Sequence, residues 1–127
     1  MDYDTLVNRV AERAKADRDE AATALVATLE VLGQRIGRGE REDLAAQLPP
    51  EVKRLVLQEQ HAGRRMSLNE FLQRIAERED RDERTARRHA TAVLRTLYDA
   101  VGEGEMKDVF AQLPPDYQIL LVPPPAN

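Results

Sequence analysis

Sliding the sequence along itself by 65 positions, without a gap, superposes two halves that share 20 identities in the 55 pairs from Met1/Met66 to Leu55/Leu120. Val10-Ala11-Glu12-Arg13 falls on Ile75-Ala76-Glu77-Arg78, and Gly37-Arg38-Gly39-Glu40 falls on Gly102-Glu103-Gly104-Glu105. Ala46-Gln47-Leu48-Pro49-Pro50-Glu51 falls on Ala111-Gln112-Leu113-Pro114-Pro115-Asp116. A fixed period of this kind marks one supersecondary unit used twice, so a fold assigned to one half must also serve the other. The spacing predicts two tandem units, 1–58 and 66–122, with a joint at 59–65 and a proline-rich tail at 123–127.

The unit reads as helical. Tyr3, Leu6, Val7, Val10, Ala11 and Ala14 recur at helical spacing, as do Leu68, Phe71, Leu72, Ile75 and Ala76. Ser67-Leu68-Asn69-Glu70 has the form of a capping box. A second, longer helix starts near Asp17 with the stripe Ala21, Leu25, Thr28, Leu29, Leu32 and Ile36. Its counterpart carries Ala86, Ala90, Val93, Leu94, Leu97 and Val101, and both are expected to close at a left-handed glycine, Gly37 or Gly102. Short third helices are expected over about 40–48 and 105–113. The Pro-Pro pairs stop them, since the first ring disfavours a helical residue before it and the second suits a helix start. Fourth helices follow, one at 50–59 with Val52, Leu55 and Val56, the other with Tyr117, Leu120 and Leu121.

Composition supports this reading. Apolar residues are 42% of the 127, yet aromatics are only 4% and tryptophan is absent. The core must be Leu, Val, Ile and Ala, which suits packed helices more than a β-sandwich. The fold class is therefore all-α: two copies of a bundle of two long and two short helices, without a sheet. The absence of cysteine excludes disulfides, thiol catalysis and thiolate metal sites. No apolar run reaches the ~20 residues that span a bilayer, and 1–13 lacks the apolar stretch of a signal peptide, so a cytoplasmic location is expected. Arginine outnumbers lysine 16 to 3, but the net charge of −4 argues against a dedicated nucleic-acid binder.

The Tyr-Asp or Leu-Asn-Glu-Phe opening, the Val/Ile-Ala-Glu-Arg run and the segments at 43–51 and 108–116 together resemble a bacterial family, domain of unknown function 2267. The resemblance covers about residues 1–120 and ends at the Val122-Pro123-Pro124-Pro125 tail. It implies an all-helical bacterial cytoplasmic protein and carries no activity, cofactor or site residue.

Few residues carry chemistry of their own. Gly37-x-Gly39 and Gly102-x-Gly104 lack the strand and third glycine of a dinucleotide loop and read as helix caps. Asp80-Arg81-Asp82 lacks the glycine and closing glutamate of a calcium loop. Neither His61 nor His89 has a second histidine at ligand spacing, so no metal or cofactor is expected and an enzyme is improbable. Arg84, Arg88 and Arg95 share a helix face, with Arg87 beside it, and are the candidate phosphate contacts of an alternative, nucleic-acid-associated reading. Acids interleave them, and Glu70–Arg74, Glu77–Arg81, Asp80–Arg84 and Glu83–Arg87 stand at i,i+4 in the stabilising order. The repeated Gln-Leu-Pro-Pro corners read as structural, with Leu48 and Leu113 anchored in the core. The halves differ most usefully on the long helix. There Ala22 and Val26 widen the apolar stripe to about 160°, where the second half has Arg87 and Thr91. Ala22 and Val26 are thus the candidate contacts of a non-catalytic protein-interaction module, binding a partner or itself.

Overall fold

The computed structural model describes residues 1–58 and 63–123; His61 and the other residues of 59–62 and 124–127 lie outside this description. Among the described residues there are seven α-helices, one 3-10 helix and no strand. They are α1 (Tyr3–Ala14), α2 (Arg18–Arg35), α3 (Arg38–Ala46), α4 (Pro50–Leu57), α5 (Leu68–Glu79), α6 (Glu83–Val101), α7 (Glu103–Ala111) and the 3-10 helix Pro115–Leu121.

Local chemistry accounts for most of the boundaries. The side chains of Asp2, Asp17, Ser67 and Asp82 each accept a hydrogen bond from the backbone N–H three residues on, capping α1, α2, α5 and α6. Lys15 and Asp80 end α1 and α5 in the left-handed conformation, at φ 53° and 55°. Asp80-Arg81-Asp82 is therefore the turn that closes one helix and caps the next. The long helices end differently from the glycine expectation. Gly37 is extended, at φ −70°, and begins α3, while the β-branched Ile36 before it already leaves the helix. Of Gly37 and Gly102, the latter alone has a positive φ, 92°, and its ψ of 159° places it outside the left-handed helical region. Pro50 and Pro115 stand at the first position of their helices, as proline's fixed φ favours.

The two long helices, α2 and α6, pack on each other at the centre. α1 lies against both, and so does α5; α4 lies on α2, the 3-10 helix on α6, and α3 touches α7. One continuous core runs through all of these, with Leu6, Leu25, Leu29, Leu32, Phe71, Ile75, Leu94, Leu97 and Tyr117 fully buried. The Tyr117 hydroxyl donates to the Met66 carbonyl at 2.6 Å, and Phe71 meets the Tyr117 ring edge-on at 5.2 Å. Burial pushes the Tyr117 hydroxyl up in pKa, although the Arg35 guanidinium over its ring opposes this.

The wide stripe on α2 has a physical reason. With α1, α4, α5 and α6 all against it, α2 buries Ala21, Ala24, Leu25, Ala27, Thr28, Leu29, Val31 and Leu32 around most of its circumference. Gly33 lets α4 approach closely: a Cβ there would sit 2.5 Å from the Val56 carbonyl oxygen. The corresponding residue 65 positions on is Tyr98, half-buried against the Phe110 ring. The element beyond Pro115 winds as a 3-10 helix where an α-helix is expected from the first half.

Candidate functional site

An open apolar groove follows the seam between α2 and α5. Ala22, Thr23, Val26, Ala27 and Glu30 of α2 and Arg78 of α5 line a groove of about 250 Å³. Helical spacing places Ala22, Val26 and Glu30 four residues apart on one face. Ala22 and Val26 are half-buried and pack on the core from its rim, while Thr23 is exposed. Arg78 reaches across to Glu30 at 3.1 Å and bounds one end. Both residues singled out from the sequence are thus in one place, next to solvent.

A second hollow of similar volume adjoins the first at Thr23, lined by Asp17, Asp19, Glu20, Thr23, Glu79 and Arg81. Behind it lies His89, with none of its side chain exposed. Its Nδ1 meets Glu79 of α5, and its Nε2 meets Glu20 of α2 at 2.7 Å. Arg88 and Arg81 stand 3.5 and 3.8 Å from the Glu20 carboxylate. Burial alone would disfavour a charged ring, but the hydrogen bonds and charges of Glu79 and Glu20 outweigh it, so the His89 pKa lies above its ordinary value. The other oxygen of Glu79 is buried without a hydrogen-bond partner.

A third cluster joins α3 to α7. Glu40 and Glu105, each the third residue of its helix, bring carboxylate oxygens together with Asp43, all within 4.8 Å of one another. One oxygen of each glutamate is buried with no donor. Desolvation, then the hydrogen bond and charge of Glu40, then Asp43 and Asp108, push Glu105 up to about 8. Glu105 therefore keeps its proton at neutral pH. Oxygen ligands of this kind are also what a hard divalent cation takes, so Glu40, Asp43 and Glu105 are the residues able to hold one.

The arginines of the alternative reading are dispersed in their contacts. Arg84 is exposed, while Arg87 and Arg95 are half-buried. Arg88 turns inward, its Nε donating to the Ala14 carbonyl at 3.0 Å and its Nη2 facing Glu20. Of the i,i+4 pairs, Glu70–Arg74 forms at 2.9 Å. Glu77–Arg81 and Asp80–Arg84 straddle the break at Asp80, which sends Arg81 toward Glu20. At the repeated corners Leu48 and Leu113 are buried, and the Gln112 side chain accepts from the Gly37 N–H at 2.7 Å.

Sequence reasoning did not single out Glu20, Glu79, Glu40 or Glu105. The self-alignment held a signal for the last two, because it sets Glu40 on Glu105 and Asp43 on Asp108. For the first two the signal was weaker: His89 falls three residues after Ala86 on a buried stripe, where a lone imidazole needs polar partners.

Fold and sites together define a small all-α protein whose ionisable clusters lie between helices rather than in a deep cavity. The chain belongs to the family described as uncharacterized conserved protein (DUF2267), which it matches over residues 3–120. No curated protein matches it. No helix among the described residues is long and apolar enough to cross a membrane.

Proposed function

We propose that this is a non-catalytic, bacterial, cytoplasmic interaction module that binds another polypeptide, a second copy of itself included, through the α2–α5 groove. The observation that carries this reading is the position of Ala22 and Val26: apolar, half-buried, lining a groove beside solvent, with no described element covering it. Burying such side chains releases about 25 cal/mol per Å² of apolar surface, so the groove can anchor an apolar side chain of a partner. The Glu30–Arg78 pair at its end supplies the polar rim that favours one register.

The same proposal takes the chain as two copies of one unit. Tyr3–Ala14 and Leu68–Glu79 are 65 apart at both ends, as are Arg38–Ala46 and Glu103–Ala111. Cross-contacts also exchange by that interval: Arg9 bonds Asp99, and Arg74 bonds Gln34. Ala22 and Val26 matter because the corresponding positions, Arg87 and Thr91, break this correspondence. A catalytic reading finds less support, since the buried His89 has both ring nitrogens engaged by carboxylates.

Affinity purification of the tagged protein from its native cells, with and without nuclease, tests the proposal. A polypeptide recovered in fixed ratio from both preparations is the expected result. Recovery that vanishes with nuclease would transfer the function to Arg84, Arg87, Arg88 and Arg95.

A further inference from the structure

Three groups from three helices meet at His89, and their hydrogen-bond arithmetic is restrictive. Both ring nitrogens face carboxylate oxygens, Glu79 on one side and Glu20 on the other. An ionised carboxylate only accepts, and a neutral imidazole has a single N–H, so it can serve one of the two. With both carboxylates ionised, the bracket is complete only with a proton on each nitrogen. Other charges near the bracket act on Glu20: Arg88, on α6 itself, and Arg81, beyond the end of α5. Asp17 and Asp19, at the start of α2, line the hollow outside it.

The fold does not require this arrangement. The positions 65 away from Glu79, His89 and Glu20 are Ala14, Ala24 and Thr85. Ala14 and Ala24 are fully buried in the same long core. The positions related by the 65-residue interval thus carry small side chains, whereas Glu20 of the first half with Glu79 and His89 of the second form a buried charged triad. Such a triad is poor stabilising material, because desolvation offsets most of its attraction. It also leaves one Glu79 oxygen without a donor.

We infer that His89 is a pH-operated clamp: a buried imidazolium whose two N–H groups hold α2 and α5 onto α6, and whose deprotonation releases one of them. The direction follows from linkage. The ring binds its proton more tightly in the folded than in the unfolded chain. The stabilisation is therefore complete below the unfolded value of about 6.5 and is lost as pH rises through the folded value. Release of Glu79 or Glu20 loosens the α2–α5 seam beside Thr23, where the two hollows meet. The clamp stands or falls independently of whatever fills the groove.

Nitrogen-15 NMR of the histidine rings in the wild-type protein tests the protonation directly. Assignment uses His61→Gln, the other histidine. Two N–H-bearing ring nitrogens for His89 below about pH 6.5, with a titration midpoint above that of an unfolded histidine, are expected. A midpoint at or below the unfolded one would overturn the inference. A triple variant carrying the residues found 65 positions away, Glu20→Thr, Glu79→Ala and His89→Ala, supplies the second measurement. Between the unfolded value of about 6.5 and the folded value, the wild-type melting temperature should fall relative to the variant by about 5 °C per pH unit, and level off above it. Parallel pH profiles for the two proteins would also overturn it, and if the variant does not fold the ring titration decides alone.

Discussion

Replacing Gly33 by alanine sets two effects against each other, and the structure decides which wins. Gly33 lies inside α2, where alanine is favoured over glycine by about 1 kcal/mol. Its missing Cβ, however, is where α4 comes closest: the added atom would stand 2.5 Å from the Val56 carbonyl oxygen and 3.1 Å from its Cα. These are backbone atoms of a helix fixed by buried Val52, Leu55 and Val56, so no side chain can rotate away. Relief requires α4 to move outward by about 1 Å, and because backbone meets backbone the cost falls at the upper end of the overpacking range, about 2–3 kcal/mol. We expect Gly33→Ala to lose a net 1–2 kcal/mol, or about 4–8 °C in melting temperature for a chain of this length. Gly39→Ala and Gly104→Ala are the controls. Both are helical positions with nothing within 4 Å of the added carbon, and they should be neutral or raise the melting temperature. Thermal denaturation followed by circular dichroism measures all three. A Gly33→Ala protein as stable as wild type would refute the close approach of α4 to α2.

Two further stability predictions rest on ionisable and hydrogen-bonding groups. Glu105 keeps its proton in the folded chain up to about pH 8 but releases it near 4.5 when unfolded, so it drains stability as pH rises between those values. Glu105→Gln should melt higher than wild type at pH 8.5 by about 4–7 °C after allowance for solvent screening, and by little at pH 4; urea titrations at the two pH values check the same difference. Tyr117→Phe removes the hydroxyl that serves the Met66 carbonyl in a fully buried site, and should cost about 1–2 kcal/mol in denaturant titration with an unchanged m-value.

The helices were legible in the sequence because their signals are local. Asp17 and Ser67 announce two starts, and the apolar stripe of α1 at Leu6, Val7 and Val10 is the buried face. Ala22 and Val26 could be singled out because the comparison of halves isolates them. What was not legible depends on the third dimension. Glycine at 37 suggested a left-handed end, yet the turn closed one residue earlier because Ile36 adopts an extended backbone. The 3-10 winding of Pro115–Leu121, packed on α6, has no counterpart in the α-helical Pro50–Leu57 of the first half. Glu20 and His89 are 69 residues apart, and only the packing of α2, α5 and α6 brings them to hydrogen-bonding distance.

The central claim, that a polypeptide docks in the α2–α5 groove, is tested most directly by a photo-crosslinking amino acid placed at Thr23 and activated in native cells. Thr23 is exposed at the groove edge, so the probe reports on an occupant without disturbing the core. Asn8, exposed on α1 in a hollow lined by Thr5, Arg9, Glu12 and Arg13, is the matched control. The account predicts a discrete protein adduct from Thr23 that Val26→Glu abolishes and that Asn8 does not give. No adduct from Thr23, or the same adducts from both positions, would contradict it.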